Sequence, residues 1–153
     1  MEDLNKTCAV TGHRELQEDF NKETTKKIIE EVILKGYNNF LVGMALGFDT
    51  VCFNILRKLK EKHKIKITAV VPCGEQDKYF NLKQKKKYRE MLETADEVIT
   101  LHEKFSFGCM QERNRYLVDN ASLLIAYLKK KGGGTFYTVS YAEKQGKEII
   151  MIK

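Results

Sequence analysis

No stretch of this 153-residue chain approaches the run of about 20 apolar residues that a membrane helix requires. Its first residues, Met1-Glu2-Asp3-Leu4-Asn5-Lys6, lack the basic and apolar regions of a secretory signal. Neither membrane insertion nor export is expected, and the chain reads as cytoplasmic. Cysteine is sparse and badly spaced for a framework: Cys8, Cys52, Cys73 and Cys109 form no C-x-x-C pair, and they read as reduced, mostly buried thiols. With only His13, His63 and His102 to add, a zinc site would have to gather ligands from distant segments, so no metal is expected. Cys73 and Cys109 flank loops that border the candidate pocket, but no nearby base marks either as a reactive thiol. Proline occurs once, at Pro72. No repeat, low-complexity tract or linker divides the chain, so residues 1–153 are read as one domain, long enough to bury its own core.

What is present is the composition of a soluble globular protein, 42% hydrophobic and 31% charged. The net charge of +6 comes partly from Lys83-Gln84-Lys85-Lys86-Lys87-Tyr88-Arg89 and Lys129-Lys130-Lys131. Two readings of these runs stay open: a surface for nucleic acid or another polyanion, or a solvated helix face and loop.

Apolar, β-rich runs alternate with helical patterns from end to end. Strands are predicted at residues 7–11, 39–43, 65–71, 97–101, 122–127 and 148–152. Helices are predicted at about 20–35, 49–62, 79–94, 109–120 and 136–145, the first stopped by Gly36. Strands separated by helices imply βαβ crossovers, a mostly parallel sheet and helices on both faces: an α/β, Rossmann-like three-layer sandwich. In such sheets ligands sit beyond the carboxyl ends of the strands, so the segments following each strand are the candidate site.

Gly132-Gly133-Gly134-Thr135-Phe136-Tyr137-Thr138 follows an apolar strand and precedes a helix, the layout of a phosphate-binding turn. The backbone of Gly133 and Gly134 would approach an anion closely, with the hydroxyls of Thr135 and Thr138 donating beside it. A mobile surface loop is the competing reading. After the first strand, Gly12 makes a turn, His13 offers an imidazole to a ribose or base, and Arg14 a guanidinium to a phosphate. After the second come Gly43, Ala45 and Gly47, then Asp49, which suits a helix N-cap or a ribose-hydroxyl acceptor. This spacing departs from the G-x-G-x-x-G fingerprint, so hydride transfer with NAD is not indicated. On the helix after the fourth strand, Met110, Leu117 and Tyr116 are expected to face the core, leaving Arg113 for a phosphate and Asn114 for a base or sugar edge, or for surface salt bridging with Glu112 or Asp119.

Taken together, Thr11-Gly12-His13-Arg14, Gly43-Met44-Ala45-Leu46-Gly47-Phe48-Asp49, Arg113-Asn114-Arg115 and Gly133-Gly134-Thr135-Phe136-Tyr137-Thr138 resemble the SLOG superfamily of Rossmann-like proteins. Within it, they are most similar to the YpsA-like branch. The resemblance covers nearly the whole chain in the right order. It implies a site for a nucleotide or nucleotide-derived ligand built from those four segments, with no further cofactor required, in a branch associated with cell-division control and stress responses in Gram-positive bacteria.

The leading reading is therefore a regulatory or sensing module that binds such a ligand and informs a protein partner. Two alternatives follow from related families. Cytokinin-activating phosphoribohydrolases cleave a nucleoside monophosphate at its glycosidic bond, using a glutamate after the glycine turn. Tyr137 stands at that place here, so catalytic residues are unassigned, and only Asp49 or Glu112 would replace the carboxylate. The core of DNA-processing protein A, which loads recombinase onto single-stranded DNA, has Arg-Asn and Gly-Ser/Thr-x-x-Thr segments resembled by Arg113-Asn114 and Gly134-Thr135-Phe136-Tyr137-Thr138. Lys78-Tyr79-Phe80 and Lys87-Tyr88-Arg89 interleave charge and aromatics as a single-strand binder would, although burial on a helix also accounts for these rings. An apolar edge on the second or last helix would leave a homodimer open.

Overall fold

The computed structural model describes residues 3–153. After a short 3₁₀ turn at Leu4–Lys6, the chain alternates β1 (Thr7–Gly12), α1 (Lys22–Leu34), β2 (Asn39–Val42), α2 (Phe48–Leu59), β3 (Lys66–Val71), α3 (Leu82–Thr94), β4 (Glu97–Thr100), α4 (Cys109–Asp119), β5 (Leu123–Tyr127), α5 (Gly133–Lys144) and β6 (Glu148–Met151). The six strands form one sheet of order β4-β3-β2-β1-β5-β6, and every pairing is parallel.

The central strands β2 and β5 are buried at every position, as their unbroken apolar runs require when both faces of a parallel sheet are covered. The edge strands β4 and β6 are largely exposed and carry Glu97 and Glu148. Alternation along each strand feeds two cores. Cys8 and Val10 of β1 pack with Ile29 and Val32 of α1, Phe53 and Leu56 of α2, and Tyr88 and Met91 of α3. Ala9, one residue out of phase, joins Leu117 and Val118 of α4 and Val139 and Ala142 of α5 on the opposite face.

Helix boundaries follow local capping. The Asn21 side chain accepts from Thr24 N–H at 3.1 Å to start α1, and Gly36, at φ 109°, follows its end. Helix α3 starts at Leu82, three residues later than the sequence pattern suggests, because Asn81 and Gln84 form a reciprocal capping box. Tyr79 consequently lies in the preceding turn and is 90% exposed rather than buried on a helix, whereas Tyr88 is buried as expected. Helix α5 starts three residues earlier than expected, at Gly133, so the glycine-rich segment is the first turn of the helix rather than a loop before it. Helix α2 contributes no exposed large apolar side chain, whereas the last helix, α5, exposes Phe136; further exposed large apolar side chains include Tyr79, Leu82, Phe105 and Phe107.

Candidate functional site

Strand order fixes where the site falls. β1 to β4 step outward in one direction, and β5 returns to the other side of β1, so the connections diverge at the carboxyl ends of β1 and β5, where Gly12 pairs with Tyr127. This switch point opens a crevice of about 590 Å³. It is walled by Thr11 to Gln17 after β1, Ala45 and Asp49 after β2, Arg113, Asn114 and Leu117 of α4, and Lys129, Lys130 and Gly132 to Thr135 after β5.

An aromatic cluster supports the floor. Tyr127 stacks on Phe48 at 5.6 Å and meets Phe20 edge-on at 5.1 Å. Gly12 fits against Phe48 so closely that a β-carbon there would lie 2.4 Å from its ring. The Tyr127 hydroxyl accepts from Gln17 N–H at 3.1 Å, and His13 Nε2 accepts from Lys129 N–H at 2.8 Å, so the loops after β1 and β5 are tied together. That bond requires a bare Nε2, and burial, with Lys130 nearby, holds the imidazole pKa below its ordinary value. His13 is therefore a neutral ring whose Nε2 is already engaged.

The loop after β2 builds the acidic corner. Met44, buried, holds a left-handed backbone at φ 64°, an uncommon conformation for a side chain of this kind. Gly47, not Asp49, is the N-cap of α2. Asp49 lies inside the first turn, where its Oδ2 accepts from Ala45 N–H at 3.1 Å, and its Oδ1 has no hydrogen-bond partner among the described residues. Burial pushes its pKa up to about 6, against the opposing pull of the Arg113 charge and the Ala45 N–H.

Arg113 and Asn114 are buried, at 6% and 9% exposure, whereas Met110, expected in the core, is 36% exposed. The helix presents Arg113 inward because a buried chain of acceptors awaits it: Nε donates to Asn114 Oδ1 at 2.9 Å, and Nη1 donates to Gly43 O. Burial lowers the Arg113 pKa from its very high ordinary value, with Asp49 opposing, and leaves it a cation. Salt bridging with Glu112 or Asp119 does not occur. Glu112 contacts His102 at 3.0 Å, and Asp119 accepts from the Tyr141 hydroxyl.

Helix α5 closes the crevice. Gly132 and Gly133 have φ of 90° and 86°, and no side chain caps the first turn, so its leading N–H groups have no side-chain acceptor. Of the thirteen residues singled out in the sequence, ten line the crevice: Gly12, His13, Arg14, Ala45, Asp49, Arg113, Asn114, Gly133, Gly134 and Thr135. Three do not. Gly43 lies behind it, its carbonyl held by Arg113 and by Gln76 Nε2. Gly47 carries the α2 start, and Thr138 is fully buried, its hydroxyl spent on Gly134 O at 2.8 Å. Among residues the motif reading passed over, Lys129 and Lys130 line the wall, and their proximity to the glycine turn was the available signal. Glu112 is not in the crevice, and Tyr137 faces Arg115, whose Nη1 donates to its hydroxyl at 2.8 Å. All four cysteines are buried, and burial raises the Cys73 thiol, which makes it a poor nucleophile. Among the described residues no cluster suits a metal ion, and no helix is long and apolar enough to cross a membrane.

Comparison with known proteins agrees with this architecture. The chain is 34% identical over 137 residues to the uncharacterised SPbeta prophage-derived protein YoqJ of Bacillus subtilis, a match covering 80% of each. Among solved structures it resembles DNA processing protein A (DprA) of Streptococcus pneumoniae, with a TM-score of 0.73 at 20% identity. That match covers 96% of this chain and 50% of DprA, so the chain spans about half its length. DprA of Helicobacter pylori, described for its single-stranded DNA binding mode, gives a TM-score of 0.69 at 21% identity, over 95% of this chain and 64% of that protein. At such identities these two likenesses show the shared fold. The model of the YspA SLOG family matches residues 8–153, and the chain belongs to that family.

Proposed function

We propose that the crevice binds a nucleotide or nucleotide-derived ribose-phosphate ligand and that the protein is a regulatory, ligand-sensing module. The observation that carries this reading is the uncapped first turn of α5, facing a crevice edged by Arg14, Lys129, Lys130 and the buried Arg113. Free N–H groups at a helix start and converging cations favour a phosphate. Asp49, with its unpartnered Oδ1, supplies the acceptor that a ribose hydroxyl would satisfy. The crevice volume lies within the range of small-ligand sites.

A thermal-shift and calorimetric screen against nucleoside monophosphates tests the proposal. Binding should raise the melting temperature, and Arg14→Ala should weaken affinity roughly tenfold by removing one charge-assisted contact. Arg14 is exposed, so this variant folds; Arg113→Ala, which unpairs buried groups, serves as the harsher second variant. If no monophosphate, and no dinucleotide or ADP-ribose added to the same screen, shifts the protein, the proposal fails. The same samples, assayed for free base, decide between a sensor and an N-glycosidic hydrolase. Asp49 is the buried carboxylate available for that chemistry, so base release abolished by Asp49→Asn would establish the enzyme.

A second reading, single-stranded nucleic-acid binding, is supported by Tyr79, which is 90% exposed just before α3 and lines a groove together with Lys87 of that helix. The likeness to the Helicobacter pylori protein points the same way.

A further inference from the structure

A second cavity, of about 730 Å³, adjoins the first, and the two share the wall Arg14-Glu15-Leu16. Its lining differs in character: Leu16, Leu46, Val51, Tyr79, Phe80 and Met110 make it apolar and partly aromatic. Tyr79 is 90% and Met110 36% exposed, so core packing does not explain why these side chains gather here. Lys78 sets its ammonium 5.5 Å from the Tyr79 ring centre.

Between the cavities runs a saddle of backbone. Phe48 N–H donates to His13 O at 3.1 Å, and Gly47 sits so tightly against Arg14 that a β-carbon would lie 2.0 Å from the Arg14 carbonyl oxygen. The saddle is therefore fixed and, at Gly47, bare of side-chain bulk. The Arg14 side chain, a wall of both cavities, makes no hydrogen bond or ion pair among the described residues.

We propose that the second cavity is a subsite for a planar aromatic base, and that the ligand is a dinucleotide: two nucleosides joined through phosphates. This rests on the nucleotide reading of the first cavity. One nucleoside occupies the polar crevice, the bridging phosphates cross the saddle beside Arg14, and the second base lies against Tyr79 and Met110. A guanidinium common to both cavities suits a phosphate bridge, because its planar fork pairs with two oxygens at once. A tyrosine face and a thioether suit a base, whose π-surface stacks regardless of its identity. Each cavity is large enough for one nucleoside, and a mononucleotide would leave the second empty.

Calorimetry on the full chain tests this with AMP and with two adenosines joined 5′ to 5′ by a diphosphate. The dinucleotide should bind about tenfold or more tightly than AMP, the scale of one base–aromatic stack. Tyr79→Ala should remove that gain and leave AMP affinity unchanged; a matching melting curve confirms that the exposed site tolerates the change. Met110→Glu is the second groove variant and should act in the same direction. AMP bound without any gain for the dinucleotide, or a gain that survives both variants, overturns this inference and leaves the nucleotide reading standing. Failure of both compounds to bind overturns both. A salt-sensitive preference for a single-stranded oligonucleotide, lost in Tyr79→Ala, assigns the groove to nucleic acid and overturns the dinucleotide.

Discussion

Asp49 shows how far one residue's role depends on its surroundings. A carboxylate at the start of a helix reads as a cap, and capping would place it in water. Here Gly47 caps the helix, and Asp49 turns inward to hold Ala45 N–H with one oxygen while the other has no partner. Its folded pKa of about 6 lies above the ordinary 3.8, so the folded state holds the proton more tightly. Stability is therefore greatest below pH 3.8 as far as this group is concerned, and falls as pH rises toward 6, by ~3 kcal/mol in all. Asp49→Asn keeps an acceptor for Ala45 and should flatten this slope, gaining on the wild type in urea melts as pH rises from 4 to 7. Parallel curves would show that the carboxylate is not desolvated. The variant should also bind nucleotide more weakly, so stability and affinity move in opposite directions, the usual mark of a residue kept for function.

At the scale of elements, the starts of α2 and α5 carry the site, and their glycines are not equivalent. Gly47 has φ 84° and abuts the Arg14 carbonyl, so Gly47→Ala should cost at least ~1–2 kcal/mol from the backbone conformation alone. Gly134 has ordinary helical space, where a β-carbon would meet only Asn114 Nδ2 at 3.6 Å. Gly134→Ala should therefore leave the melting temperature unchanged or raise it slightly, since alanine is the better helix former. Thermal melts of the two variants side by side check the contrast, and equal losses would refute it. The alternation of strands and helices was legible in the sequence, because apolar runs and the Gly36 stop mark boundaries locally, whereas the Asn81 capping box that delays α3 was passed over. The start of α5 was not: three glycines read as a loop, yet Gly133 and Gly134 already belong to the helix, with Gly134 beside Asn114 of α4. The inward turn of Arg113 was likewise hidden, because the Gly43 carbonyl that draws it in lies 70 positions away.

At the scale of the molecule, charge is the property most open to test. The basic run on α3 and the lysines after β5 lie on different elements, and a nucleic acid that spanned both would pass the exposed Tyr79, in the groove that shares Arg14 with the crevice. If it does, single-strand affinity falls steeply with salt, and neutralising Lys85, Lys86 and Lys87 together lowers the slope of log affinity against log salt by about two. A slope unchanged in that variant would mark the run as a solvated face.

The sequence by itself determined the α/β order, the buried central strands, the family and most of the residues that meet in the crevice, because these follow from local periodicity and motifs at strand ends. Only the tertiary structure decided which of those side chains reach the cavity and which are spent holding it. Thr138 and Gly43 are consumed by hydrogen bonds, Glu112 is carried to the surface by its helix, and Lys129 and Lys130 are brought in by the β1–β5 pairing. Those outcomes depend on contacts between segments far apart in the chain, and no local pattern encodes a partner that folding has yet to supply.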